Sequence, residues 1–268
     1  MGEIKCGRRV LVVGHPGVHG TELFGVRDMF EIASHLGVQA GHSPTYRVEV
    51  ATSDGAPLDL GRGLSLSGVV ALRTDTERID TLAVIGGMTA RDVAATDDEL
   101  IVAIRTAAGR AERVVSTCSG AFLLAAAGLL DGRRVTTHWD CAQRLAEEYP
   151  TVDVEPDSIY LRDGNIWSSA GVTAAFDLVL ALVEHDFGPD RALELARQFV
   201  VYLRRPGGQT QFSVQLASPP VRRQPIREVQ EYVLANPGAD LSVDALAARA
   251  HLSTRHFTRL FRAEVGMS

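Results

Sequence analysis

The sequence lacks the patterns that mark disulfide-stabilised and membrane-spanning proteins. It has only three cysteines in 268 residues, an odd number without disulfide spacing, and this indicates a reducing cytosol. No signal peptide precedes Arg8, which also favours a cytoplasmic protein. The longest apolar stretch, residues 170–183, is interrupted by Asp177 and is too short to cross a bilayer.

Nucleotide and metal motifs are missing as well. The glycines at positions 14, 17 and 20 have neither dinucleotide-binding nor P-loop spacing. No group of cysteines and histidines has zinc spacing, and there are no internal repeats. We therefore predict no cofactor and no bound metal.

The charge is unevenly distributed. The formal net charge is −6, but residues 221–268 hold seven arginines against five acids, which leaves −8 on the rest of the chain. A basic tail on an acidic body favours, weakly, a nucleic-acid partner.

Buried strands alternate with helices through the first 200 residues. Apolar runs at 9–14 and 80–87 are typical of parallel strands covered on both faces, and the second run ends in Gly86-Gly87. This alternation predicts an α/β sheet with a ligand crevice at the carboxyl ends of its strands. Glycines at such an end let backbone amides approach a ligand, although they also fit a simple tight exit from the strand.

Cys118 lies where a β-branched run, 114–117, meets an apolar helix predicted over 119–130. A strand that turns directly into a helix at a cysteine is typical of a nucleophile elbow, although Ser116 replaces the usual first glycine. The helix N-terminus should then favour the thiolate and make Cys118 more reactive than Cys141. The alternative is a small buried residue at a tight corner.

Two further residues have functional and structural interpretations. His138 follows a predicted strand and is a candidate base for Cys118, although a lone histidine is more often structural. Asp28 lies near the apolar stripe of a predicted helix, 22–36, where a solvated helix acid is the ordinary interpretation.

The last 45 residues predict a helix-turn-helix. Ser242 is a candidate N-cap for a helix that ends near Ala250, and a short turn leads to a helix over 254–265. This last helix turns arginines outward, where a recognition helix meets bases and phosphates, although a helical hairpin with a solvated charged face has the same pattern. The candidate DNA-binding residues are Ser253, Thr254, Arg255, Thr258, Arg259 and Arg262.

Two family resemblances cover nearly the whole chain. Residues 240–267 closely resemble the first helix-turn-helix of AraC/XylS regulators. Residues 8–203 resemble the ThiJ/PfpI domain, a relative of the class I glutamine amidotransferases. The matching segments are Glu22–Phe30, Val84–Gly87, Ser116–Phe122, Gly128–Gly132, Thr136–Trp139 and Ser169–Gly171. The order of the two parts resembles amidotransferase-like AraC regulators.

The resemblance implies a sensor that dimerises and a second domain that binds promoters. It places Asp28 opposite the elbow cysteine and His138 near it, and it implies nitrogen-rich small metabolites as effectors. Protease-like members have a histidine directly after the cysteine, where this chain has Ser119, and the late His-x-Glu pair of glutaminases is missing. We therefore expect no enzymatic activity. The AraC-type domain carries two helix-turn-helix units, of which this sequence contains the first.

These observations give one working hypothesis. The predicted fold is a flavodoxin-like three-layer α/β/α sandwich with a nucleophile elbow (residues 1–205), a linker (206–224) and an all-α DNA-binding segment (225–268). The predicted function is a promoter-binding regulator, homodimeric and without membrane contact. Its ligand site would contain Asp28, Gly86, Gly87, Cys118, Ser119 and His138. The alternatives are a cysteine hydrolase or amidase, or a redox sensor, that uses Cys118.

Overall fold

The fold is described from a computed structural model. It describes residues 7–41, 46–203, 205, 208–209 and 223–265. Most of the predicted linker therefore lies outside the described residues. The chain divides into two compact units, Met1–Gln209 and Thr210–Ser268.

The first unit is built on a seven-stranded sheet. Its strands, together with those of two small accessory sheets, are β1 (Arg8–Val13), β2 (Tyr46–Thr52), β3 (Leu58–Gly61), β4 (Leu64–Leu66), β5 (Val70–Ala71), β6 (Ile79–Val84), β7 (Ala111–Thr117), β8 (Arg134–Val135), β9 (Asp153–Val154), β10 (Tyr160–Asp163) and β11 (Ile166–Ser169). The main sheet has the order β10-β11-β7-β6-β1-β2-β5. Every pairing in it is parallel except β10 with β11. The carboxyl ends of β1, β6, β7 and β11 therefore meet at one edge.

Helices cover both faces of this sheet. They are α1 (Gly20–Gln39), α2 (Ala90–Thr96), α3 (Asp98–Ala108), α4 (Gly120–Ala126), α5 (Trp139–Glu148), α6 (Ala174–Phe187) and α7 (Pro189–Phe199). Among the described residues, no helix combines the length and the apolar character needed to cross a bilayer.

Two hydrophobic cores follow from the alternation of side chains along the strands. Val10 and Val12 of β1 pack with α1, α6 and α7, whereas Leu11 and Val13 pack with α3 and α4 on the other face. This arrangement confirms the predicted three-layer α/β/α sandwich. Strands β10 and β11 form an antiparallel hairpin at one side of the sheet.

Several predicted boundaries are corrected. The elbow helix α4 ends at Ala126 instead of residue 130, and Gly128 follows with φ +70°. Gln209, assigned to the linker by its polar surroundings, is buried within the first unit. Gln224, also assigned to the linker, begins a helix of the second unit.

The second unit contains three described helices, α8 (Gln224–Ala235), α9 (Val243–Arg249) and α10 (Thr254–Val265). Their core contains Ile226, Val229, Ala247 and Phe257. Ser242 caps α9 by accepting a hydrogen bond from the Ala245 amide at 3.3 Å, as predicted. Val243, the first residue of α9, is exposed.

Candidate functional site

Cys118 occupies a strained turn between β7 and α4. Its φ of +49° is left-handed, a backbone conformation that costs a non-glycine residue about 1–2 kcal/mol. The end of β11 holds it there, because the Cys118 amide donates to the carbonyls of Ser169 (3.1 Å) and Ala170 (2.9 Å). This geometry confirms the predicted elbow.

Glycines let the loop after β6 approach this turn. A Cβ on Gly120 would lie 2.5 Å from the Val84 carbonyl oxygen, and one on Gly86 would lie 2.7 Å from the Ser119 amide nitrogen. Ser119 then joins the two segments, since its hydroxyl donates to the Gly87 carbonyl (2.8 Å) and accepts from the Gly87 amide (3.0 Å). Four of the predicted site residues are therefore brought together at one point: Gly86, Gly87, Cys118 and Ser119.

Asp28, predicted to face the cysteine, lies elsewhere. Its side chain is 48% exposed, and its carboxylate pairs with Arg27 at 2.6 Å. The acid at the elbow is Glu22 on the first turn of α1, which is fully buried and interacts electrostatically with Cys118. The prediction was wrong because it followed family position, whereas a sequence signal was available: Glu22 lies four residues before Val26 on the buried stripe of the helix.

Burial controls the protonation of Glu22. Loss of water on burial raises the pKa of this carboxyl to about 8. Neither carboxyl oxygen of Glu22, nor the Thr117 hydroxyl, has a hydrogen-bond partner among the described residues. At neutral pH Glu22 is therefore an acid that still carries its proton.

Burial also controls Cys118. It raises the pKa of the thiol to about 12, with the charge of Glu22 as a second cause, while the amide and hydroxyl of Ser119 act in the opposite direction. The expectation that the helix N-terminus favours the thiolate is thus wrong, because α4 has only seven residues and desolvation outweighs its field. Burial also raises the pKa of the half-buried Cys141. The pKa values of the two thiols therefore do not support the prediction that Cys118 is the more reactive cysteine.

His138 is a capping residue in this structure. Its ring is half buried, which lowers its pKa, and its Nδ1 accepts a hydrogen bond from the Asp140 amide (3.3 Å) at the start of α5. With Nδ1 as acceptor, the proton of the neutral ring is assigned to Nε2. Gly171 packs against the same ring, since a Cβ there would lie 2.8 Å from Cδ2. Among the described residues, Cys118 has no hydrogen bond to His138.

Other polar groups, not predicted from the sequence, lie at this edge of the sheet. His15, after β1, is buried with its Nε2 unpaired among the described residues, and burial lowers its pKa. The hydroxyl of Ser169 is likewise unpaired in the described part of the chain, and Ser169 lies beside Thr117 in the register of β11 and β7. Buried donors and acceptors of this kind are available to a small polar molecule or to water.

Residues 8–185 match the DJ-1/PfpI family. The chain belongs to the DJ-1/PfpI family. The crystal structure of a ThiJ/PfpI family protein from Pseudomonas syringae is similar, with a TM-score of 0.63 and 26% identity over 75% of this chain and 77% of that one.

Curated relatives of this DJ-1/PfpI chain include a regulator and an enzyme. The HTH-type transcriptional regulator CdhR of Pseudomonas aeruginosa is 30% identical over 224 residues, which cover 84% of this chain and 66% of CdhR. Isonitrile hydratase of Pseudomonas putida is 34% identical over 151 residues, 56% of this chain and 63% of the enzyme. The chain thus spans slightly less than two thirds of each. Since 84% of the chain exceeds the 209 residues of the first unit, the match to CdhR continues into the second.

The unit after the DJ-1/PfpI domain presents a cationic face. Helices α9 and α10 are joined by the turn 250–253, where His251 adopts φ +55°. Phe257 faces the core, whereas the predicted Arg255, Thr258, Arg259 and Arg262 are exposed along one surface. Within the described ranges, no carboxylate forms an ion pair with these three arginines, which leaves their charge available to phosphates.

The first two predicted DNA-binding residues take part in the turn. The Ser253 hydroxyl accepts from the His256 amide at 3.4 Å, and the Thr254 hydroxyl donates to Asp244 at 2.7 Å. Both residues are exposed, but these bonds join α10 to its own turn and to α9. A contact of either residue with DNA stays a prediction.

Replacing Glu22 by Gln should remove a pH dependence of stability. The pKa of Glu22 is about 8 in the folded protein against an ordinary value of 4.5, so the folded state binds more protons between these limits. Wild-type stability should therefore fall as pH rises through this window, by on the order of 5 kcal/mol, and then level off. Chemical unfolding of Glu22→Gln at several pH values should lack this loss.

The matched control is Asp28→Asn on the same helix. Asp28 is half exposed, so this variant should keep the wild-type pH profile and differ in stability by less than about 0.5 kcal/mol. Equal pH profiles for wild type and Glu22→Gln would show that Glu22 is not a buried neutral acid.

Proposed function

We propose that this chain is a DNA-binding transcription regulator whose DJ-1/PfpI unit senses a small molecule. The observation that carries the proposal is the exposed arginine face of α10, on a helix-turn-helix that follows a DJ-1/PfpI unit. The match to a protein named as an HTH-type regulator, across more than the first unit, supports it. Such a regulator would act in the cytoplasm.

The second unit would place α10 in the major groove. In helix-turn-helix proteins the N-terminal half of the second helix meets base edges. Arg255 and Arg259 lie in that half, and a guanidinium can donate to both acceptors of a guanine edge. Arg262, one turn further along, would meet phosphate.

The first unit would bind its effector at the elbow. The proposed site contains Gly86, Gly87, Cys118, Ser119 and His138, with Glu22 in place of Asp28. A neutral acid, unpaired hydroxyls and a neutral imidazole suit a small polar molecule better than an anion or a metal ion. Family resemblance is the basis for proposing a nitrogen-containing metabolite.

Family resemblance also leads us to propose a homodimer. Two copies would present two α10 helices to two half-sites, the arrangement in which helix-turn-helix dimers read DNA. Sedimentation of this chain at micromolar concentration should give twice the mass of one chain, and a monomer would contradict the dimer without affecting the assignment of α10.

Two arginine substitutions should separate base reading from phosphate binding. Arg259→Ala should cost roughly 1–3 kcal/mol of binding and relax sequence preference, because it removes contacts to bases. Arg262→Ala should weaken all sequences alike and reduce the salt dependence, because it removes a phosphate contact. Titration of labelled promoter fragments at two salt concentrations measures both effects.

Arg249→Ala is the control, since Arg249 lies on α9 with its guanidinium over the Tyr232 ring. It should leave the salt dependence unchanged. The described residues of this chain form one helix-turn-helix, α9 and α10, which fills one groove segment, so we expect it to bind DNA weakly by itself. Tight, sequence-specific binding that survives the double change Arg255→Ala and Arg259→Ala would show that another surface reads the DNA.

The second candidate is a cysteine-dependent enzyme or redox sensor. The observation that favours it is the 34% identity with isonitrile hydratase, together with Cys118 on a strained elbow. Against it, burial raises the pKa of the thiol to about 12, and His138 uses its Nδ1 as a helix cap. The regulator therefore remains the preferred proposal.

Assays of isonitrile hydration and amide hydrolysis test this alternative. Purified protein should give no turnover above that of Cys118→Ser. Robust turnover by the wild type that is lost in Cys118→Ser and kept in Cys141→Ser would show that the protein is an enzyme that uses Cys118.

A further inference from the structure

The carboxyl end of the first unit is anchored beside the elbow by Gln209. Its side chain is buried, and its amide nitrogen lies 3.0–3.2 Å from four oxygens. These belong to the Thr136 hydroxyl and to the carbonyls of Thr137, Pro156 and Ser158. A polar side chain that is buried and surrounded by hydrogen-bond acceptors belongs to the packed structure of the first unit rather than to a linker.

Thr137 links this anchor to the cysteine. Its carbonyl accepts from Gln209 at 3.0 Å, and its hydroxyl donates to the Cys118 carbonyl at 2.7 Å. The next residue is His138, whose ring lies in the proposed site. Segment 136–138 is thus held by the elbow on one side and by Gln209 on the other.

A second contact lies four residues earlier. The Nε of Arg205 donates to both carboxylate oxygens of the buried Asp177, at 3.1 and 3.0 Å, and Arg205 also reaches the Thr173 hydroxyl. Both partners lie at the start of α6, just after Gly171, which packs against His138. The end of the first unit therefore contacts two elements that surround His138.

Gly208 makes the close approach possible. A Cβ at this position would lie 2.3–2.5 Å from the carboxylate of Asp157, and the next amide, that of Gln209, donates to the Asp157 carbonyl at 2.7 Å. A side chain at position 208 would require the Asp157 carboxylate to move, so the absence of a side chain at Gly208 favours this contact.

We propose that Arg205, Gly208 and Gln209, here called the Gln209 anchor, couple occupancy of the Cys118 site to the DNA-binding unit. The inference rests on the proposed function. Gln209 is the last residue of the first unit, so a displacement of the anchor moves the point at which the second unit is attached. A molecule bound at Cys118 that shifts segment 136–138 removes two of the four acceptors that hold Gln209, those of Thr136 and Thr137, and so releases the anchor.

Hydrogen exchange on the wild-type chain tests this directly. Cys118 is alkylated to completion with iodoacetamide, and exchange of the Gln209 amide is compared with that of untreated protein. Cys118→Ser treated in the same way controls for labelling at the other two cysteines. If the anchor is released, hydrogen exchange at the Gln209 amide should be faster by about fivefold or more in alkylated than in untreated wild type. The same treatment should leave the exchange rate in Cys118→Ser unchanged. Unchanged exchange in alkylated wild type would overturn the coupling.

The reciprocal measurement uses variants. Gln209→Ala and, separately, Arg205→Ala should accelerate alkylation of Cys118 by a similar factor, because coupling between two sites is mutual. Gln143→Ala, an exposed change on α5 that removes only a bond to Glu147, should leave the rate within a factor of two. Rates in both anchor variants equal to that of Gln143→Ala would contradict the proposal. The exchange measurement needs neither anchor variant, so an anchor variant that fails to fold leaves it decisive.

Titration with promoter DNA tests the proposed function separately from the anchor. If wild type binds promoter DNA, alkylation of Cys118 and Gln209→Ala should shift its affinity in the same direction. Coupled exchange without any DNA binding would contradict the proposed function, whereas DNA binding without coupled exchange would contradict the anchor, so the two failures are distinguishable.

Discussion

The close contact between the end of β6 and the turn at Cys118 is the constraint on which the site depends. Gly86 and Gly120 have no side chain because the backbone of the facing segment occupies that space. The same contact forces Cys118 into a left-handed conformation, which persists because bonds from β11 and from Ser119 fix the turn on both sides. The site therefore depends on close packing between the carboxyl ends of β1, β6, β7 and β11.

That packing also determines the chemistry. It removes water from Glu22 and Cys118 together, and desolvation favours the neutral form of both groups. An acid and a thiol that both retain their protons at neutral pH form a hydrogen-bonding surface rather than an activated nucleophile. A binding role for the elbow fits these electrostatics more simply than a catalytic role, although a relative with an enzymatic name shares the domain.

Structural features that depend on local sequence pattern can be predicted from this sequence, whereas properties that depend on how deeply a side chain is buried cannot. Buried apolar runs, the strand-to-helix turn at Cys118 and the helix-turn-helix are visible because periodicity and turn chemistry are local. The expectation of a thiolate at Cys118 is an error about desolvation, which is set by the packing of distant segments. The choice of Asp28 instead of Glu22 has another cause, because it followed family position rather than the buried stripe of the helix. Gln209 shows the same limit, since its polar neighbours indicate a linker while its four acceptors come from residues more than 50 positions away.

The arrangement around Gln209 explains how a small change at Cys118 could have only two outcomes. A primary amide has two hydrogens, and here four oxygens surround its nitrogen, so the bonds are shared and no single one is decisive. Withdrawal of the side chain, however, takes that donor from all four oxygens at once, and for the buried residues Thr136 and Thr137 the loss of a hydrogen bond is costly. Because the loss of one acceptor can be offset by the others, we expect release of the anchor to require the loss of more than one of these bonds, and an element with two such states is what a signal between two folded units requires.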